Sequence, residues 1–406
     1  MKKNIIRRLT QSLLLASPVA LMVCRLDAAE FNFFGTNMPP LDFHGFLSQG
    51  FLDSSSYNYL TPNTKNGSTE FFEAGMNVSV NPFPRTRITA QGFLYDVGNV
   101  GNYQPFLDYA SIEYTFNDYL GLRAGRVRRP GGIYNDIQDI DLARTFVLLP
   151  QGVYDARFRD FSCSLDGAEV FGDIPLSKAG ALAYEAYVGY VHIGAGSGVV
   201  NEINNTSGGK ATSFNPVFGA GEQLWWNTPV DGLRFGAAFG YVFNFDYDLT
   251  VPTGAPPPFP ATVSLIAKTV VLTQQYSVEY LWKKWTFQAE YYDVQSSGNT
   301  TAPAGTTHSF SNQYSWYGSA AYRFNKWLEV GGYYNESYVS GAQAAASDAS
   351  QKDAVLSFRF DPKPWWVFKV EGHYIRGTEL LEDNAANPVR NDNGWFMLAV
   401  KTTFSF

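Results

Sequence analysis

Fourteen charged side chains recur at alternate positions within otherwise apolar segments: Glu73, Arg87, Glu113, Arg123, Glu185, Arg234, Glu279, Glu290, Arg323, Glu329, Arg359, Lys369, Glu371 and Lys401. Successive side chains of a strand point to opposite sides, so each segment has one apolar face and one charged face. Toward lipid, an Arg or Lys costs about 2–4 kcal/mol at the bilayer midplane. A dry interior would penalise every ionised group left unpaired. Water between the charged faces removes both penalties. The two signs nearly balance, which predicts a path for small polar solutes and ions with weak charge preference, some of the charges pairing across the wall. A second concentration of charge lies in Arg128–Asp160, where Asp136, Asp139, Asp141, Arg144 and Asp155 follow Arg123, Arg126 and Arg128.

Other chemistries lack their residues. His44, His192, His308 and His373 are scattered, with neither His-x-x-His nor His-Glu-x-x-His spacing, so no metal or cofactor is expected. No serine–histidine pair suits a hydrolase, and the chain reads as a non-enzyme. Gly208-Gly209-Lys210 echoes a phosphate loop, but Asn204 stands where its first glycine belongs. The only cysteines are Cys24 and Cys163, which leaves no internal disulfide once an export signal is removed. Cys163, in phase with Leu165, reads as a small apolar wall residue. A net charge of −7 argues against nucleic-acid binding.

The elements that would carry the charges are strands of a membrane barrel. Residues 1–29 have the order of a secretory signal: Lys2, Lys3, Arg7 and Arg8, then Leu13–Val23, then Ala28-Ala29. No later apolar stretch reaches the roughly 18 residues of a membrane helix. Aromatic content is 16% against 17% charged residues, which suits the aromatic girdles of a barrel. From Leu41 onward about sixteen alternating segments are separated by short turns and longer loops in strict alternation. The short turns include Asn117-Asp118, Lys283-Lys284 and Asn325-Lys326. The expected fold is all-β: one antiparallel up-and-down transmembrane barrel over residues 30–406, its last strand closing on the first. Trp225, Trp226, Trp285, Trp327, Trp365 and Trp366 stand beside short turns and should mark the periplasmic interface. In Gly232–Tyr247, the residues Leu233, Phe235, Ala237, Phe239, Tyr241, Phe243 and Phe245 should all face lipid. Gly194–Phe214, Asp248–Ala261 and Gln295–Asn312 read as loops, and Asn391–Gly394 as a polar turn.

Arg128–Asp160 is the third and longest outer connection. Its centre, Phe146-Val147-Leu148-Leu149, is too apolar to stand in water, and structureless loops of this length usually have a function. It is expected to fold inward and set the narrowest point of the lumen, the alternative being a lid packed outside.

Leu41-Asp42-Phe43-His44-Gly45-Phe46-Leu47-Ser48-Gln49-Gly50-Phe51, and Gly121–Val127 running into Pro130 and Tyr134-Asn135, resemble Gram-negative porin-type outer-membrane proteins. A strand ending on Phe406 resembles the sorting signal read by the barrel-assembly machinery. The resemblance implies an integral outer-membrane channel contacting lipid and lipopolysaccharide, small polar solutes as cargo, and a homotrimer among its assemblies. A surface barrel that anchors partner-binding loops is the competing expectation.

Overall fold

The structure is a computed structural model that describes residues 39–194, 196–256, 260–341, 349–381, 387–390 and 394–406. The signal segment, Cys24 and the turn at 391–393 lie outside the described residues. Strands run in chain order as β1 (Asp42–Ser54), β2 (Phe71–Phe83), β3 (Thr86–Val97), β4 (Phe106–Asn117), β5 (Leu120–Arg128), β6 (Ser164–Pro175) and β7 (Ala181–Val191). A short β8 (Lys210–Thr212) precedes β9 (Val217–Asn227), β10 (Leu233–Pro252), β11 (Thr262–Trp282), β12 (Trp285–Ala302) and β13 (Gly305–Arg323). The chain ends with β14 (Leu328–Gly341), β15 (Ser350–Lys363), β16 (Trp366–Gly377) and β17 (Trp395–Ser405).

Each wall strand pairs antiparallel with its neighbours, β7 passes directly to β9, and β17 returns to β1 with Phe46 opposite Ser405. The result is a closed barrel of sixteen strands, with β8 an outer appendage on β10. Closure leaves no unpaired edge, which lipid would not tolerate. Phe406 completes it: its N–H donates to Gly45 O at 2.9 Å, and Gly45 N–H donates back at 3.0 Å. Gly45 makes room for the Phe406 ring, since a Cβ there would lie 2.4 Å from the ring's far end unless the ring moved.

One face of the strands is exposed and apolar, as at Met76, Ile88, Ile112, Leu122, Val188, Leu356 and Phe396. The alternate set holds the buried charges. Between that inner set and the third connection lies a core of Leu52, Tyr59, Phe71, Phe93, Val147, Leu148, Ile375, Trp395 and Met397.

Four sequence expectations change. Gln295–Asn312 is an extended hairpin of β12 and β13 turning at 303–304. Its Ser, Thr and Asn residues occupy both faces, so hydrophobic alternation could not reveal it. Likewise β10 continues to Pro252. Gly194–Phe214 contains a helix, α1 (Gly198–Ser207), capped by the Ser197 side chain and ended by Gly208 at φ 63°, besides β8. The third change is in β10, where Asn244 at φ 56° opens a bulge between Val242 and Phe245. The extra residue reverses the phase, so Phe245 is buried beside Val242 rather than facing lipid. Finally, Trp225 belongs to the inner set and lies under Arg234, 4.2 Å from its ring centre. Trp226, Trp285, Trp327 and Trp365 are exposed.

Candidate functional site

The third connection is anchored through Asp141, at the start of a 3₁₀ turn. Its carboxylate lies 2.8 Å from Lys401 Nζ, 2.8 Å from Arg144 and 3.5 Å from Lys369. Thr403 and Ser48 hydroxyls add donors at 2.6 and 3.2 Å. Strands β1, β16 and β17 therefore meet on one loop carboxylate that is 1% exposed. Lys369 also donates to Asp141 O and Phe146 O at 2.8 and 3.0 Å, and Lys401 also pairs with Glu73. Two residues beyond Lys369 on β16, Glu371 accepts the N–H groups of Val147 and Leu148 at 2.8 and 3.1 Å. His373 braces that carboxylate at 3.0 Å and contacts Asp353 at 2.8 Å. Thr145 donates to Glu329, and Arg359 to Arg144 O at 3.0 Å.

A second buried cluster lies beside β3 and β4. Arg159 bridges Asp139 and Asp108 at 2.5 and 3.0 Å, and Arg128 reaches the same two carboxylates at 3.1 and 2.8 Å. The Arg159 guanidinium sits 3.9 Å from the centre of the Phe93 ring, close enough for a cation–π contact. Burial raises the pKa of Asp139 and of Asp141. The arginines around the first, and Lys401, Arg144 and Lys369 around the second, outweigh it and hold both carboxyls below the usual range. Asp139 and Asp141 thus lie beside cations of the same segment and wall, not across an opening from them. Neither Asp108 nor Arg159 stood out among the candidate residues in the sequence. Asp108 falls at a register shift between β3 and β4, where alternation breaks.

Glu290 anchors the other end of the segment. It accepts Ile133 N–H at 2.9 Å, the hydroxyls of Tyr154 and Tyr317, and Gln275 at 3.1 Å. Among the other expected residues, Arg123 pairs with Glu113 and Glu169 at 2.8 and 2.9 Å, and Arg234 with Glu279 at 2.8 Å. Arg323 pairs with Glu329 at 2.7 Å and with Asp361, which Arg359 shares at 2.9 Å. Arg87 lies opposite Glu113 in the ladder and is exposed. Asp155 caps the turn Ala156–Phe158 and holds Arg157. Asp136 gives its backbone oxygen to Arg128 at 2.7 Å, and burial raises its carboxyl pKa. One assignment is corrected. Arg126 alternates with the fully buried Val127, so it faces outward, where it pairs with Asp166 at 2.6 Å.

On the side of β10–β13 the segment and the wall separate. A cavity of about 440 Å³ opens there, lined by Arg129, Tyr154, Asp155, Arg157, Phe161, Tyr187, Glu202, Val242, Val271, Thr273, Gln275, Tyr292, Val294, Gln313, Val339 and Glu379, among others. Such a volume is that of a small-molecule site.

No protein-family model and no curated protein matches the chain. Solved structures do. OmpT of Vibrio cholerae superposes with a TM-score of 0.59 at 10% identity, over 92% of this chain and 100% of that one. Salmonella typhi OmpF, solved in complex with daunomycin, gives 0.55 at 13% identity over 92% and 99%. The fold is the bacterial outer-membrane porin barrel. DcaP of Acinetobacter baumannii, an outer membrane channel, follows at 0.50 and 10% identity over 92% and 99%. At these identities the likeness to the porin barrels is one of fold.

Proposed function

We propose that the chain is an integral outer-membrane porin, a passive diffusion channel for small polar solutes and ions, with Arg128–Asp160 as its constriction. The observation that carries the reading is the inner wall. Charged residues of both signs face inward around the barrel, and a 440 Å³ cavity lined by both charged and apolar side chains remains beside the inserted segment. A filled structural barrel has no use for that combination. The near balance of signs supports weak ion selectivity. His373 supports a non-enzymatic reading, since both its ring nitrogens are engaged by carboxylates rather than by a nucleophile.

One structure of V. cholerae OmpT is described as a trimer form. We extend a homotrimer to this chain, with the low wall β1–β5, whose strands have 9 to 13 residues against 18 to 21 in β10–β13, as its contact. Purified protein in planar bilayers should show discrete conductance steps and a reversal potential near zero in a potassium chloride gradient. The extent of buried packing between the segment and the wall favours the second reading, a barrel that anchors partner-binding loops. Folded protein that inserts without conducting would select it.

A further inference from the structure

We propose that the cavity between the third connection and strands β10–β14 binds short zwitterionic peptides, with the carboxylate end on Arg129 and the ammonium end on Glu379. The inference rests on the channel reading and names the solute class its vestibule favours.

Arg129 is the exception among the arginines that follow β5. Arg144, Arg157 and Arg159 each hold a carboxylate at 2.5–2.8 Å. No carboxylate oxygen among the described residues lies within 4.0 Å of Arg129. Its guanidinium donates to Phe161 O at 3.1 Å and to the Tyr187 hydroxyl, lies 5.9 Å from the Tyr187 ring centre, and has Tyr292 as an electrostatic neighbour. These contacts leave some of its five donors free, Arg129 lines the cavity, and a guanidinium fork matches a carboxylate.

The other end of the cavity has the opposite excess. Asp155 and Glu202 share Arg157 at 2.5 and 3.8 Å, and Glu379 lies within electrostatic reach of all three. Glu379 Oε1 accepts from Gln313 at 2.9 Å, while its Oε2 is buried without a hydrogen-bond partner among the described residues. Three carboxylates face one guanidinium there. A simple anion would satisfy Arg129 and be repelled at this end, and a simple cation would meet the converse. A molecule carrying both charges answers both.

Register sets its length. Tyr292, beside Arg129, and Gln313, which holds Glu379, are diagonal neighbours, because Val294 is the residue opposite Gln313. Diagonal pairs lie about 7–8 Å apart, which sets the scale of the span between these two wall positions. An extended dipeptide, at about 3.3 Å per residue, is about 7 Å long, a match to that scale. Val242, Val271, Val294 and Val339 also line the cavity, which favours an apolar side chain.

Glycyl-leucine, and the same dipeptide with acetylated and amidated ends, are titrated calorimetrically into the detergent-purified barrel and added to single channels. Glycyl-leucine should bind and produce resolved current blockades, and the capped peptide should do neither. Arg129→Gln and Glu379→Gln should each weaken glycyl-leucine binding about tenfold or more, the effect of losing one charged hydrogen bond. Arg129→Lys should recover part of the loss. Burial pushes the Glu379 carboxyl up to about 7, while the peptide ammonium stays charged below its pKa of about 8. Affinity should therefore rise several-fold from pH 5.5 to pH 7, and stay flat in Glu379→Gln. Heat-dependent gel mobility verifies folding, and if Arg129→Gln does not fold, Arg129→Lys and Glu379→Gln decide. Equal binding of the capped peptide, or unchanged binding in the folded variants, overturns the proposal. Glycyl-leucine binding by a barrel that does not conduct keeps the site and refutes the channel.

Discussion

Along β15–β17 and β1–β4 the third connection is joined to the wall by buried charge, through Asp141, Glu371, Asp108 and Arg159, each 5% exposed or less. Along β10–β13 the same segment meets the wall mainly through Glu290 and the tyrosines around it, and beyond them it stands away from the wall. The difference separates two uses of a charged inner face. Buried pairs bring little net stability, because desolvation offsets their attraction, but removing one partner strands the other. They fix where the segment lies. Charges on the open side line the cavity and remain available to a solute. The packed side therefore determines that the opening lies opposite it.

Asp141→Asn should have the largest effect. It leaves Lys369, Lys401 and Arg144 facing one another with Glu73, on Lys401, as the one remaining salt-bridge partner among the described residues, a loss of about 3–5 kcal/mol for an unpaired buried charge. The transition from folded to unfolded gel mobility should fall markedly, and single-channel current should become noisy. Asp155→Asn, on the cavity side, should cost less, about 1–2 kcal/mol, because the amide can still cap the turn and Arg157 keeps Glu202. Equal effects of the two changes would erase the distinction between the sides.

Acid should act as a graded version of the same change. The carboxyls of Asp139 and Asp141 sit below their usual range in the folded chain. For a depressed carboxyl, the stabilisation is complete above the unfolded value of about 3.9 and is lost only as pH falls through the folded value. Thermal stability and conductance should hold from pH 7 to about pH 4.5 and fall below about pH 3. Loss of the closed conductance level already at pH 5 would show that these pairs do not hold the segment.

The sixteen strands were legible because one face had to be apolar and the turns alternate in length. Where that constraint lapses, legibility lapses too. The outer half of the β12–β13 hairpin rises beyond the apolar belt with polar residues on both faces, so no period marks it. The bulge at Asn244 needs only one residue at positive φ, and nothing in Phe243-Asn244-Phe245 announces it. In the site, Lys369, Glu371 and Glu290 were found as charges on an inner face. Their partners were not, because a contact between Glu371 and the backbone of Val147, 224 residues apart, leaves no local pattern. Arg126 was misplaced because strand phase cannot be extrapolated to a strand end.

Glu371→Gln should come next in size. The carboxylate accepts two backbone N–H groups and His373, and an amide turns one acceptor into a donor aimed at a donor. The cost should be about 1–3 kcal/mol, read as faster hydrogen exchange at Val147 and Leu148. Thr273→Val, on the cavity wall, should leave those two amides unchanged.

A matched pair of small deletions compares the two sides without charge. Val147 is fully buried between the segment and the wall, while Val294 is half-buried and lines the cavity. Valine to alanine removes the same atoms at both sites. At Val147 the lost transfer energy and the hole left behind should add to about 1–2 kcal/mol. At Val294 water already borders the side chain, so little transfer energy is lost and no closed hole forms. That change should stay under about 0.5 kcal/mol and slightly widen the path. Conductance should therefore rise in Val294→Ala while the unfolding transition stays in place, and Val147→Ala should do the reverse. If Val147→Ala raises conductance more than Val294→Ala, the solute path runs along β15–β17 and β1–β4, and the cavity beside β10–β13 is a blind recess.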